Sequence, residues 1–248
     1  MLLHGYFDDS GTHQTAGITG MGGYLFTVEG VSRFDQEWKP CLDKAGVKYF
    51  HAAECWSRSG QFRHFREAHR SAMFGDLARL TAKFSVQGFM TTLKQTEYNE
   101  YIKESPKLKR FIGTPFSACL LRIVAFLGQW AEETKFDGEI LYLFESGNSS
   151  QKEAEEFCKL IWQSDVLRQR YRMSGYDFRN KRDTLPLHAA DLLAWEWQRN
   201  FLNVDKHKNA EIDPFIKILM TNRLCRAYMG PISMGILGLV NAFYGIAK

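Results

Sequence analysis

Three acidic residues that are far apart in the sequence occupy positions where a fold can bring side chains together. Asp8 follows a short apolar run, Glu145 ends a second one, and Asp191 lies within a late helical stretch. Two carboxylates about 4 Å apart repel each other by roughly 4 kcal/mol at an effective dielectric constant near 20. A divalent cation reverses this repulsion, and oxygen-only ligands favour Mg²⁺ or Mn²⁺. The acids therefore predict a divalent-metal site.

A metal site of this kind predicts phosphodiester hydrolysis. Two ions about 3.5–4 Å apart can activate a water molecule and stabilise the leaving oxygen. We therefore expect a metal-dependent nuclease or phosphodiesterase that cleaves nucleic acid, DNA or RNA, through metal-activated water. Asp8, Glu145 and Asp191 are the expected catalytic residues, and His188 is expected to tune the site or relay protons.

Asp9 and Glu54 are expected to be auxiliary metal ligands. Asp9 follows Asp8 directly, but Asp-Ser-Gly is also ordinary turn sequence, because Asp side chains bond nearby backbone amides. Glu54 ends the sequence His-Ala-Ala-Glu, which begins at His51. This pair could instead bind zinc, or Glu54 could stabilise the N-terminal end of a surface helix.

Asp191 occupies an inward-facing position of its predicted helix. Helical spacing surrounds it with Leu187, His188 and Trp195, on a largely apolar face. It lies five residues past Pro186, beyond the first turn in which a capping role is favoured. A carboxylate that faces inward needs a partner, which a metal ion or a substrate would supply.

Arginine-rich stretches with interspersed aromatic residues predict contacts with nucleic acid. Arginine pairs with phosphates, and aromatic rings stack on bases. The stretch that precedes Asp191 supplies the expected nucleic-acid-binding residues, which are Arg168, Arg170, Arg172, Arg179, Lys181 and Arg182. A similar earlier stretch contains Arg58, Arg63, Arg66 and Arg70.

The acids depend on strands and helices that must position them. Apolar runs followed by turn-forming residues predict strands at 2–7 and 138–144, the second buried on both faces. Further strands are expected at 17–28, 47–51 and 84–93. Helices are expected at 31–45, with helical character up to Pro40, and at 71–83, 116–130, 151–167, 186–201 and 214–228. An irregular basic stretch is expected between the helix at 151–167 and the helix that carries Asp191.

Length and composition are those of a folded α/β domain. The chain has 248 residues, 45% hydrophobic and 24% charged, which are near globular norms. Without repeats or a clear linker, one domain over residues 1–248 is expected, with helical insertions and a helical C-terminal segment. The formal net charge of +4 is smaller than that of a dedicated nucleic-acid coat protein.

Other sequence features favour a cytoplasmic protein without membrane association. The five scattered cysteines contain no C-x-x-C pair, so neither a disulfide framework nor a thiolate zinc site is indicated. Two aspartates interrupt the N-terminal apolar run too soon for a signal peptide. The most apolar stretch, 232–247, is shorter than the roughly 20 residues of a membrane span, so a buried helix or loop is expected there.

Two short motifs resemble a known family. Phe-Asp-Asp-Ser-Gly at 7–11 and Leu-His-Ala-Ala-Asp-Leu-Leu-Ala at 187–194 resemble the D-E-S-G opening and the late L-Q-x-A-D-L-L helix of domain-of-unknown-function family 3800. That family resembles the ribonuclease H-like superfamily. The resemblance implies a mixed five-stranded sheet with flanking helices, in which Asp8, Glu145 and Asp191 occupy the acidic positions. The chain departs from the motifs at Asp9, where the family has Glu, and at His188, where it usually has Gln.

A function of a different class stays open. Basic stretches bind nucleic acid without metal, so the chain could be a catalytically inactive nucleic-acid-binding or protein-interaction module of a bacterial multi-component system. No Walker-type loop, G-x-G-x-x-G fingerprint or G-x-S-x-G elbow occurs. This disfavours a nucleoside triphosphatase, a dinucleotide-dependent enzyme and a serine hydrolase.

Overall fold

The computed structural model describes residues 1–11, 17–104, 113–147, 151–206, 214–220 and 225–228. Its centre is a mixed sheet with helices on both faces, so the expected α/β class is confirmed. The strands are β1 Leu2–Ser10, β2 Ile18–Thr27, β3 Ser85–Lys94, β4 Glu139–Glu145, β5 Met173–Arg179 and the four-residue β6 Cys225–Tyr228. They are ordered β5-β4-β1-β2-β3-β6. β2 is antiparallel to β1 and β3, and the other neighbouring strands are parallel.

The helices are close to the expected positions. In the described residues they are α1 Val28–Ala45, α2 Ala52–Ser57, α3 Glu67–Phe84, α4 Gln95–Glu104, α5 Pro115–Glu133, α6 Gln151–Gln163, α7 Asp165–Arg170, α8 Pro186–Lys206 and α9 Pro214–Leu219. The Thr27 hydroxyl begins α1 by accepting a hydrogen bond from Gly30 N, at 2.9 Å. Gly46, with φ 68°, ends that helix in the left-handed conformation that glycine adopts without strain.

Several expected elements are wrong. α1 continues through Pro40, which lies on the exposed side of the helix, where solvent can satisfy the carbonyl that loses its bond. Residues 47–51 form no strand, because Val47 and Phe50 are buried against helices instead. Residues 214–228 contain α9 followed by β6 rather than one helix.

The stretch around residue 170 also differs from the expectation. The expected helix at 151–167 is two helices, separated at Ser164, whose hydroxyl accepts a hydrogen bond from Leu167 N at 3.4 Å. The stretch expected to be irregular contains β5. This strand was missed because it lies at the sheet edge and is mostly half-buried, so its side chains do not follow an apolar alternation.

Two hydrophobic cores lie on opposite faces of the sheet. Leu3 and Phe7 of β1 pack in the core that includes α5 and α6. Tyr6 packs in the other core, which includes α1, α3 and α8. Because side chains alternate along a strand, Asp8 projects to the same face as Tyr6, toward α8.

A glycine in β2 allows α8 to lie close to the sheet. Gly22 pairs with Asp8 in the strand register. A Cβ atom at Gly22 would lie 2.6 Å from Met90 Sδ and 3.2 Å from Leu193 Cδ2 of α8. The absence of a side chain therefore lets Leu193 pack directly on the strand and brings the start of α8 near Asp8.

Among the described residues, no helix is both long enough and apolar enough to cross a lipid bilayer. The apolar stretch 232–247, expected to be a buried C-terminal helix or loop, lies outside the described residues.

Candidate active site

Asp8 and Glu145 lie side by side at the carboxyl ends of two parallel strands. Phe7 pairs with Phe144 in the ladder between β1 and β4. The next residue of each strand is therefore an acid, and neighbouring strands are about 4.8 Å apart. Asp8 is 2% exposed, whereas Glu145 retains 23% exposure of its side chain. The two carboxylates share the face that packs against α8.

Asp191 reaches the same point from the second turn of α8. Its Oδ2 accepts a hydrogen bond from the backbone N of Ala52 at 2.6 Å. Ala52 is the first residue of α2, so the segment that enters this short helix fixes the orientation of the Asp191 carboxylate. The remaining oxygen, Oδ1, faces the other two acids.

The three carboxylates converge on the ammonium group of Lys181. The Lys181 Nζ lies 3.1 Å from Asp8 Oδ2, 2.8 Å from Glu145 Oε2 and 3.1 Å from Asp191 Oδ1. Its side chain is 12% exposed. Burial lowers the pKa of Lys181. The charges of Asp191 and Asp8, and the hydrogen bonds with them, raise this pKa by more than burial lowers it, so the net shift is upward. Lys181 is therefore a cation at the centre of the acids.

The charges of this centre do not balance. Three carboxylates and one ammonium group leave a formal charge of −2. Backbone N–H groups offset part of it, since Asp8 Oδ1 accepts from Asp9 N at 2.8 Å and Asp191 Oδ2 accepts from Ala52 N. The centre keeps a net attraction for further positive charge.

The donor atoms suit a hard divalent cation, although they are spaced around an ammonium group. In the described part of the chain, no three His, Cys, Asp or Glu side chains form a ready-made metal site. Carboxylate oxygens bind Mg²⁺ at about 2.0–2.1 Å. The oxygens here lie 2.8–3.1 Å from Nζ, so each would move inward by about 1 Å. By charge and donor type, Asp8, Glu145 and Asp191 fit Mg²⁺ or Mn²⁺ once the ammonium group has moved.

The two auxiliary acids are not among the three acids that the described contacts place on Lys181. Asp9 borders the cleft but follows Asp8 in β1, so alternation directs its side chain to the opposite face, where burial raises the pKa of Cys119 in α5 and the Asp9 charge adds to that rise. Glu54 lies on a wall of the cleft above the acids. Its Oε1 is 3.2 Å from His51 Nδ1, and its Oε2 accepts a hydrogen bond from the Tyr49 hydroxyl at 3.3 Å.

His188 lies behind the acids and is fully buried. Trp38 Nε1 donates a hydrogen bond to His188 Nδ1 at 2.8 Å, and the backbone N of Phe50 lies 3.4 Å from His188 Nε2. Burial lowers the pKa of His188 to about 3, which keeps the ring neutral at physiological pH. These contacts connect α8 to α1 and hold the first turns of α8 in place.

An open cleft of about 620 Å³ lies over the acids. Trp195, one helical turn after Asp191, lines it, as do Tyr49 and Arg182. The Arg182 guanidinium lies 5.0 Å from the centre of the Tyr49 ring. Trp195 packs against Trp56, with their ring centres 5.1 Å apart. The cleft thus combines an acidic floor with aromatic and cationic walls.

The expected nucleic-acid-binding cluster is divided between the two ends of β5. Lys181 and Arg182 follow the carboxyl end and line the cleft. Arg168, Arg170 and Arg172 precede the amino end of the strand, whose seven residues span roughly 20 Å. Arg179, the last residue of the strand, forms an ion pair with Asp177 at 2.5 Å. The structure therefore places Lys181 and Arg182 in the cleft and Arg179 beside Glu145 in the strand register, whereas the other three basic residues lie toward the far end of β5.

Sequence reasoning missed several residues of the cleft. Helical spacing placed Trp195 beside Asp191 on one stripe, but it did not predict that Trp195 lines the cleft. Tyr49 and the Ala52 backbone had no such signal, since the segment before α2 was expected to be a strand. Lys181 was noted only as one of a basic run, and its contact with three acids depends on the pairing of β5 with β4.

Comparison with known proteins adds no relative. No protein-family model matches the chain, and no curated protein is significantly similar to it. The resemblance of the two short motifs to domain-of-unknown-function family 3800 therefore stays a prediction.

Proposed function

We propose that the protein is a Mg²⁺- or Mn²⁺-dependent nuclease, or a closely related phosphodiesterase, that hydrolyses nucleic acid. The observation that carries the proposal is the convergence of Asp8, Glu145 and Asp191 within 3.1 Å of one cationic atom at the floor of an open cleft. Acids that repel each other are assembled at one point only where a positive charge is held.

The fold supports the same proposal. A mixed sheet with an antiparallel second strand, acids at the ends of β1 and β4, and a third acid on a late helix are compatible with a ribonuclease H-like fold. They also agree with the order of acids that membership of family 3800 would require. We include both assignments in the proposal.

The three acids would hold the metal, and other groups of the chain would orient them. A bound Mg²⁺ or Mn²⁺ would supply Lewis-acid activation of water and neutralisation of phosphate charge. Ala52 N fixes the Asp191 carboxylate, and the buried His188 supports the helix that carries it. We assign His188 a positioning role, because a fully buried, neutral imidazole has no path for exchanging protons with substrate.

The walls of the cleft favour nucleic acid as the substrate. Trp195 and Tyr49 line the cleft, and aromatic side chains can stack on bases in a way that is tolerant of sequence. Arg182 adds a cation beside Tyr49 that can pair with a phosphate. The floor requires a metal to accept a phosphodiester, because three carboxylates alone repel its negative charge.

A cleavage assay tests the proposal. The purified protein is incubated with labelled single- and double-stranded DNA and RNA, with Mn²⁺, Mg²⁺ or EDTA. Cleavage is expected only with metal, and Asp8→Asn, Glu145→Gln and Asp191→Asn should each reduce the rate by at least about 100-fold.

A matched control separates the effect of changing a site residue from the effect of removing any one negative charge from the protein. Asp165→Asn removes a carboxylate that is 79% exposed on α7, and its rate should stay within about twofold of wild type. If the Asp8→Asn or Asp191→Asn variant cleaved nucleic acid at the wild-type rate, and still only with metal, the proposed site would be excluded.

One observation favours a second candidate, a module that binds nucleic acid without cleaving it. Lys181 already gives the three acids a cationic partner, so the cleft can exist in its present form without metal. Arg182 and the aromatic walls would still bind a strand. Binding in the presence of EDTA that Mn²⁺ does not alter, together with absence of cleavage, would favour this candidate.

A further inference from the structure

We infer that Lys181 is an internal counterion that occupies the cation position of the site, and that a divalent metal binds by displacing its ammonium group. The inference rests on the proposed function, because it concerns the same three acids. It adds a competition between a side chain of the protein and the metal for one position. Lys181 is thereby a positioning residue rather than one of the expected nucleic-acid contacts.

The geometry carries the inference. One ammonium group contacts a single oxygen of each acid, at 2.8–3.1 Å, and its side chain is only 12% exposed. Metal–oxygen bonds of about 2.0–2.1 Å to the same oxygens would leave no space for Nζ between them. The metal and the ammonium group therefore exclude each other.

The surroundings permit the exchange. Lys181 itself lines the cleft, so rotation about the bonds of its long side chain carries the ammonium group toward the open space. The Asp191 carboxylate remains fixed by Ala52 N during this change. The change that the structure requires is thus a side-chain movement with no rearrangement of the sheet.

The exchange also follows from the charges. With Lys181 in place the centre carries a formal charge of −2, and without it the charge is −3. Removing the ammonium group should increase the attraction for a divalent cation and should also leave the metal-free acids repelling one another. A purely structural lysine, in contrast, would hold the acids in the geometry that metal needs, and its removal would weaken metal binding.

Calorimetric titration with Mn²⁺ tests these opposite expectations in Lys181→Met, which keeps an unbranched side chain of nearly the same length but removes the charge. The variant should bind Mn²⁺ at least about tenfold more tightly than wild type. Without metal it should melt at a lower temperature than wild type. Arg182→Met is the matched control, since it removes one positive charge from the same cleft without touching the three acids, and its affinity should change by less than about threefold.

A second measurement uses the wild-type chain, in case the metal-free variant does not fold. An amine-reactive reagent is applied with and without Mn²⁺, and modification of each lysine is measured by mass spectrometry. Mn²⁺ should increase modification of Lys181, because the ammonium group leaves its three partners. Lys83, which is 57% exposed and paired with Glu37, should react equally in both conditions.

The outcomes separate the two proposals. If wild type binds Mn²⁺ but Lys181→Met binds it no more tightly, or if Lys181 modification does not respond to Mn²⁺, the displacement is wrong and the metal site stands. If neither protein binds Mn²⁺, the proposed metal site fails and the displacement falls with it. Tight binding by Lys181→Met together with weak binding by wild type supports both.

Discussion

Adjacent aspartates in β1 have different surroundings because side chains alternate along a strand. Asp8 shares a face with Tyr6 and lies toward α8. Asp9 shares a face with Phe7, and its charge adds to the rise in the pKa of Cys119 that burial causes. The same alternation along β4 places Glu145 with Leu143, on the α8 side. The position of α8 therefore determines that Asp8, and not Asp9, joins the other two acids.

A buried acid outside the site offers a test at the residue scale. Asp35 of α1 has one buried carboxylate oxygen, Oδ1, with no hydrogen-bond partner among the described residues. Burial raises the pKa of Asp35 to about 6. The folded protein therefore holds this proton more tightly than the unfolded chain does. The resulting stability is present at low pH and is lost as the pH rises through 6.

Asp35→Asn removes this pH-dependent cost without changing the shape of the side chain. It should raise the free energy of unfolding by about 1 kcal/mol at pH 7.5, after allowance for partial solvent exposure, and have little effect at pH 4. Urea unfolding at both pH values measures the difference. Asp43→Asn, an exposed position on the same helix, should be neutral, and an equal effect of Asp35→Asn at both pH values would contradict the assigned cause.

At the scale of elements, the site depends on the close contact between α8 and β2. Gly22→Ala would place a methyl group 3.2 Å from Leu193 and displace the more flexible Met90 side chain. Overpacking of this kind should destabilise the fold by about 1–3 kcal/mol. Urea denaturation monitored by circular dichroism measures this change.

A second substitution identifies the contact responsible. Leu193→Ala alone should destabilise by about 2–5 kcal/mol, because it leaves a cavity. Combined with Gly22→Ala, it should cost at least about 0.5 kcal/mol less than the sum of the single changes, since the two positions fill the same space. Strict additivity would mean that α8 is positioned by other contacts.

The sequence allowed the strands and helices that carry the three acids to be predicted, but not the segments that complete the site. Asp8 and Glu145 follow apolar runs, and Asp191 lies on a periodic helix, so local signals were sufficient for these positions. β5 lies at a half-exposed edge and gave no clear pattern. Its omission hid the position of Lys181, which follows β5 by two residues and depends on long-range pairing with β4.

The backbone contact with Asp191 could not be predicted for a related reason. Ala52 donates through its main chain, so its side chain carries no information about the contact. Burial of His188 was equally hidden, because a histidine beside an acid on a helix resembles a catalytic pair. Its partner Trp38 is 150 positions away in the sequence.

At the scale of the whole molecule, the acids come from positions 8, 145 and 191, so the site exists only when the sheet and α8 have assembled. A ligand that binds only this state stabilises it by about 2.7 kcal/mol at 100 times the Kd. If the site forms after the folding transition state, Mn²⁺ at that concentration should slow unfolding by about 100-fold and leave the refolding rate nearly unchanged.

Stopped-flow mixing with urea, monitored by tryptophan fluorescence, measures both rates with Mn²⁺ and with EDTA. Asp191→Asn should abolish the metal effect on unfolding. A faster refolding rate with Mn²⁺ would instead mean that the acids are already together in the transition state.

The cationic partner of the three acids also has a consequence for the cell. In small zinc domains the chain stays unfolded until metal arrives, so metal supply limits the amount of folded protein. On the proposed displacement, a chain in which Lys181 occupies the cation position would fold while metal is scarce. Such molecules would be folded but inactive, and they would bind Mg²⁺ or Mn²⁺ when its free concentration rises, without new protein synthesis.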